Sequence, residues 1–199
     1  MSVVGVIFDL DGTLVDSGLD FGQMRRDMKL AADDPILESL EEMSPQRRTE
    51  CEEILARHER EGVARATVYE GLTELLDRLV SHQTKLAILT RNRADCARAT
   101  VEATLPGYWD PIISRDEGPI KPDPWGIEEI CRQWRAAPAD VVMIGDYLFD
   151  IQAGLRAGAR TALFARGRDR ANLAGTDLAD LVFDSFDCPQ LASWLDKPI

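Results

Sequence analysis

Several kinds of chemistry are scarce in this chain of 199 residues. Histidine occurs only at His58 and His82, so a histidine-rich metal centre is excluded. The cysteines Cys51, Cys96, Cys131 and Cys188 are scattered, with no CxxC pair. That spacing argues against a zinc site or a disulfide framework and fits free thiols in a reducing cytoplasm. No apolar run approaches the ~18 residues of a membrane span. The apolar stretch Val3–Phe8 starts close to Met1 with no basic segment before it, so a secretory signal is not expected. Positive charge is short as well: Lys plus Arg is 23 against 35 for Asp plus Glu, a formal charge of −12. Such a field repels nucleic acid and anionic membranes, and neither is expected as a partner. Internal repeats and low-complexity segments are absent.

What is present reads as an α/β protein. Val3–Phe8, Lys85–Thr90 and Val141–Gly145 are short, apolar, β-branched runs without polar alternation, the pattern of strands buried on both faces. Weaker candidates are Pro111–Ser114, Thr161–Phe164 and Leu181–Phe183. Helical stripes separate them: Leu72, Leu75, Leu76 and Leu79; Ala97, Val101 and Leu105; Ile127, Ile130 and Trp134. Strands alternating with helices predict right-handed βαβ units and a Rossmann-like parallel sheet with helices on both faces. Residues 17–68 break the alternation and show three helix starts instead. Phe21, Met24 and Met28 share one face. Asp34-Pro35 and Ser44-Pro45 each pair a capping residue with a proline at the first helical position. Cys51, Ile54, Leu55 and His58 form the inward stripe of the last helix. The expected organisation is a core of residues 1–16 and 69–199 interrupted by a small helical insertion at 17–68. His58 is expected to pack, and His82 to sit in a turn.

The chemistry concentrates where strands end. Asp9 and Asp11 close the first strand in Asp-Leu-Asp-Gly-Thr, with Gly12 permitting the sharp exit. A lone DxD is weak evidence, and its ordinary reading is a solvated turn. Three further strand ends add to it. Thr90 ends the second strand, where its hydroxyl and the next backbone N–H groups can hold a phosphate oxygen. Lys121 sits in the stiff turn Lys-Pro-Asp-Pro. Asp146 follows the Val141–Gly145 strand directly, and Asp150 lies one helical turn beyond it. Ligands of parallel sheets bind at the carboxyl ends of the strands. Carboxylates gathered there repel one another, and Mg²⁺ suits such a set of oxygen ligands. Phosphoryl transfer needs this combination of nucleophile, charge neutralisation and positioning.

With these residues in view, the sequence resembles the haloacid dehalogenase superfamily, in the branch similar to phosphoglycolate phosphatases. The segments VVGVIFDLDGTL, ILTRN, the KPDP lysine and VMIGDYLFD follow the family's four motifs in order. The resemblance implies a Rossmann-like core with a helical cap inserted after the first strand. It implies Asp9 as the nucleophile forming an aspartyl-phosphate, and Asp11 as the acid and then the base. It implies Mg²⁺ on Asp9, the Asp11 carbonyl and Asp146, with Asp150 orienting metal-bound water. Thr90, Arg91 and Lys121 are the implied phosphate-binding residues. Dehalogenases proper lack the second aspartate of DxD, so Asp11 points to phosphate esters. Thr90-Arg91-Asn92 departs from the Thr-Asn of phosphoglycolate phosphatases and leaves the substrate open.

The expected activity is hydrolysis of a small phosphorylated metabolite. The alternatives are a phosphotransferase of the β-phosphoglucomutase type and, last, a non-catalytic protein on the same scaffold. Arg25, Arg26, Arg91, Arg93 and Arg115 are candidates to contact a second anionic group on the substrate, although a solvated arginine is the ordinary expectation for each. Arg166, Arg168 and Arg170, around Gly167, could form an anion patch, but a solvated loop is the ordinary expectation. Monomer and homodimer are both left open.

Overall fold

A computed structural model describes residues 3–196. In chain order the elements are β1 (Gly5–Phe8), β2 (Val15–Asp16), α1 (Phe21–Asp27), α2 (Ile36–Glu41), α3 (Pro45–Arg65), β3 (Thr67–Val68), α4 (Leu72–Ser81), β4 (Lys85–Leu89), α5 (Ala94–Thr104), β5 (Ile112–Ile113), α6 (Trp125–Trp134), β6 (Val141–Gly145), α7 (Leu148–Ala157), β7 (Arg160–Phe164), β8 (Leu181–Phe183) and α8 (Pro189–Leu195). Six strands form one parallel sheet in the order β5-β4-β1-β6-β7-β8. The chain therefore winds outward from β1 in both directions, as in doubly wound α/β proteins.

The two-residue period of each strand sends alternate side chains to opposite faces. Val6, Phe8, Leu86, Ile88, Val142 and Ile144 meet Leu72 and Leu76 of α4, Val101 of α5 and Leu191 of α8. Ile7, Ala87, Leu89, Val141 and Met143 meet Ile127, Ile130 and Trp134 of α6 and Ala153 of α7. Both faces are apolar, which is why these strands read as unbroken apolar runs. Gly5 makes room for the second layer: a Cβ there would lie 2.2 Å from the Trp134 ring. No helix of the described residues is long and apolar enough to cross a membrane.

Helices α1, α2 and α3 pack around a separate cluster of Met24, Met28, Ile36, Leu40, Cys51 and Leu55. The chain leaves the sheet through β2 and returns through β3, and these two short strands pair antiparallel, Val15 with Val68 and Asp16 with Thr67. Ser44 caps α3 with Pro45 in its first turn, following the sequence pattern. The start of α2 differs. Pro35 takes the cap position, because the Asp34 carboxylate accepts instead from the Ala31 N–H at 2.8 Å. Phe21 differs too. It does not join Met24 and Met28 in the cluster but is 51% exposed at the first position of α1. His58 joins α3 to α1 through Asp27, Nε2 to Oδ2 at 2.8 Å.

Candidate active site

The site lies at the carboxyl edge of the sheet. Asp9 follows β1, and its N–H donates to the Ile144 carbonyl of β6 at 2.9 Å, so the backbone ladder fixes where its carboxylate emerges. Lys121, on the loop before α6, is buried with its ammonium between two carboxylates. Its Nζ donates to Asp9 Oδ1 and to Asp150 Oδ1, both at 2.6 Å. The other Asp150 oxygen accepts from the Tyr147 N–H at 3.0 Å and caps α7. Asp150 therefore serves both the helix start and the site.

Asp11 is held on both oxygens. Ser17 Oγ donates to Oδ1 at 2.6 Å and Asn92 Nδ2 donates to Oδ2 at 2.9 Å. Thr90 Oγ1 accepts from the Asn92 N–H at 3.1 Å, which shapes the turn after β4. Gly12 has φ +87°, and a Cβ there would come within 2.8 Å of Asp146 Oδ2. Both the backbone conformation and the approach of Asp146 require glycine.

Asp9, Asp146 and Asp150 each bring an oxygen to within 4.8 Å of the others. Burial raises the Asp9 carboxyl to about 8, with Asp150 and Asp146 adding repulsion that Lys121 opposes. Burial raises Asp146 to about 6, with Asp150 contributing and Arg166, Arg168 and Lys121 opposing. Burial also raises Asp11, against the hydrogen bonds from Ser17 and Asn92. For Lys121, burial works against the charge, but Asp150 and Asp9 outweigh it and its pKa rises. The cluster is thus short of positive charge, and acceptor-only oxygens converge within reach of one hard cation. The donor set fits Mg²⁺.

The sequence-nominated residues Asp9, Asp11, Thr90, Lys121, Asp146 and Asp150 come together at this edge. The Arg91 guanidinium is engaged elsewhere. Its Nη2 donates to both oxygens of Glu38 in α2 at 2.8 Å, its Nη1 donates to the Lys121 carbonyl at 2.9 Å, and its plane lies 4.4 Å from the centre of the Phe149 ring. Arg25 donates to the Asp34 carbonyl, Arg26 to Gln23, Arg93 to Asp95 and Arg115 to Glu59. Arginines read as a solvated loop stand on the site instead. Arg166 Nη2 donates to Asp146 Oδ2 at 2.8 Å while its Nη1 donates to the Tyr69 hydroxyl. Arg168 donates to the Asp146 carbonyl at 2.7 Å. Arg170 does pair on the rim, with Asp184. The clustering of three arginines after the fifth strand candidate was the available signal; its carboxylate partner was not.

A doubly wound parallel sheet with buried carboxylates and a lysine at its carboxyl edge defines the class: a Rossmann-like α/β protein. Within that class the chain belongs to the haloacid dehalogenase-like hydrolases, whose family model matches residues 23–164. It is 34% identical to a haloacid dehalogenase-like hydrolase domain-containing protein of Arabidopsis thaliana, over 80% of this chain and 69% of that one. It is 29% identical to the phosphoglycolate phosphatase of Aquifex aeolicus, over 84% of this chain and 87% of that one. The fold matches the crystal structure of a hydrolase from Pseudomonas syringae with a TM-score of 0.77 at 21% identity, covering 98% of this chain and 100% of that one.

Proposed function

We propose that this hydrolase is a Mg²⁺-dependent phosphatase acting on a small phosphomonoester through an aspartyl-phosphate on Asp9. The observation that carries this reading is Lys121 between Asp9 and Asp150, with Asp146 beside them and Asp11 held separately by Ser17 and Asn92. One carboxylate is thereby aligned as nucleophile and another as proton donor.

In the first step an Asp9 oxygen attacks phosphorus and the ester P–O bond breaks. Asp11 gives its proton to the leaving oxygen; its burial keeps the proton available. In the second step Asp11 accepts a proton from water as that water attacks phosphorus, releasing inorganic phosphate and restoring Asp9. Lys121 and the Thr90 hydroxyl hold phosphoryl oxygens, and Lys121 keeps Asp9 aligned. Asp9, Asp146, Asp150 and the Asp11 carbonyl would hold Mg²⁺, which would offset the charge of the phosphoryl oxygens and the carboxylates.

Residues 17–68, with α1, α2 and α3, serve as a cap over the core of 1–16 and 69–199. Their own apolar cluster and the β2–β3 pair at their base support this division. The free cysteines support a cytoplasmic location. A phosphate-release screen over phosphorylated metabolites, with and without Mg²⁺, tests the reading. Turnover is expected to need Mg²⁺ and to vanish in Asp9→Asn; phosphate release that persists in Asp9→Asn refutes the mechanism.

A further inference from the structure

Two arginine–glutamate pairs cross from the inserted helices to the core, and both arginines meet the turn after β4 that carries Thr90 and Asn92. Arg91, between Thr90 and Asn92, holds Glu38 of α2, and this pair is partly open to solvent. Arg115, after β5, holds Glu59 of α3. Its Nη2 donates to Oε2 at 3.0 Å and its Nη1 donates to Oε1. Glu59 is only 4% exposed. A carboxylate so buried is tolerated only when paired, and breaking such a pair is far more disruptive than breaking one at the surface.

The buried pair reaches further. Arg115 Nη1 also donates to the Arg91 carbonyl at 3.0 Å. The next residue is Asn92, whose side-chain amide holds Asp11 Oδ2. A continuous path therefore runs from α3 through Glu59, Arg115 and the Arg91 carbonyl to Asn92 and Asp11. The face of α3 that carries Glu59 thus touches the same turn that orients the proposed proton donor.

We infer that Glu59 and Arg115 are positioning residues, through which docking of α3 on the core sets Asn92 and aligns Asp11 for proton transfer. The inference rests on the reading of Asp11 as acid and base. It makes full acid catalysis depend on the docked cap. The substrates favoured are then phosphoesters of poor leaving groups, small enough for α3 to dock over them.

Leaving-group dependence tests this. In the first step p-nitrophenyl phosphate, with its good leaving group, needs little help from Asp11 and an alkyl phosphate needs it fully; the second step, where Asp11 acts as base, is common to both and does not enter kcat/KM. In Glu59→Gln and in Arg115→Lys, kcat/KM for the alkyl ester is expected to fall on the order of tenfold, with that for p-nitrophenyl phosphate little changed. The double variant is expected to lose no more than the worse single one, because the two residues act as a unit. Asn92→Ala, which leaves the cap pair intact, is expected to give the same selective loss and carries the test if a Glu59 variant does not fold. Equal losses on both esters, no loss on either, or additive losses in the double variant would overturn the inference. Asp9→Asn, assayed alongside, separates the two failures. If it retains turnover the proposed mechanism itself falls; if it is inactive while Glu59→Gln keeps full selectivity, only the positioning role falls.

Discussion

Lys121→Met keeps most of the lysine stem and deletes its charge. The lost ammonium lies 2.6 Å from Asp9 Oδ1 and 2.6 Å from Asp150 Oδ1, on a side chain only 2% exposed. Removing one partner of a buried ion pair costs about 3–5 kcal/mol. The remaining carboxylates can limit that loss by binding protons, so the deficit depends on pH. Asp9 already sits at about 8, above its ordinary 3.8, because of burial and the neighbouring acids. The folded protein therefore holds more protons than the unfolded chain between these values, and this group's contribution falls as pH rises through that window. Without Lys121 the Asp9 carboxyl rises further. The variant's deficit is then smaller at about pH 6, where Asp9 holds its proton with or without Lys121, and grows toward about pH 9, where only the parent gives that proton up. At roughly 2–4 °C per kcal/mol for a chain of this size, Tm at the higher pH should fall by about 6–20 °C. Thermal unfolding followed by circular dichroism at both pH values, in chelator, measures it. A drop under about 3 °C at the higher pH, or the same drop at both, would refute the reasoning.

Mg²⁺ should raise the Tm of the parent protein, with about 2.7 kcal/mol of stabilisation at 100 times its Kd. Asp146→Asn is expected to lose most of that shift, and an undiminished shift would count against Asp146 as a ligand. Gly12→Ala places a Cβ 2.8 Å from Asp146 Oδ2 at a φ of +87°. It should cost about 1–3 kcal/mol in urea unfolding and weaken the Mg²⁺-induced shift. Cys51, Cys96 and Cys131 are buried and Cys188 is partly exposed, and burial pushes the Cys96 and Cys131 thiols to about 11. Ellman's reagent should therefore modify Cys188 first in the native protein, the others reacting only on unfolding; rapid reaction of Cys96 or Cys131 would contradict the packing.

Strands β1, β4 and β6 were readable because burial on both faces leaves a local signature, an apolar run ending in a polar residue. The gathering of Asp9, Thr90, Lys121 and Asp146 followed from one topological rule about strand ends. The pairings were not readable, because they join residues far apart in the chain. Arg166 meets Asp146 across 20 positions and Arg115 meets Glu59 across 56. A charged residue on a helix ordinarily faces water, so the periodicity of α3 places Ile54 and His58 on the inward stripe but gives no sign that Glu59 is buried. The β2–β3 pair is two residues long on each side and leaves no periodic trace. Asp34 failed as a helix cap because a nearer backbone N–H, that of Ala31, competed for its carboxylate.

The place of β1 in the sheet bears on how the chain is synthesised. Of the six strands of this sheet, the first to be synthesised is an interior one, with Gly5 opposite Lys85 on one edge and opposite Val141 on the other. Until β6 is made, an apolar strand waits with an unpaired edge, a template for wrong pairing. The Lys121–Asp9 bond closes across 112 positions. No nascent chain ending before β6 can assemble the carboxylate cluster, so the cluster forms only after four of the six strands are made. Long-range closure of this kind makes folding slow relative to local helix formation, and it makes the interval before β6 emerges the period in which a chaperone would matter most.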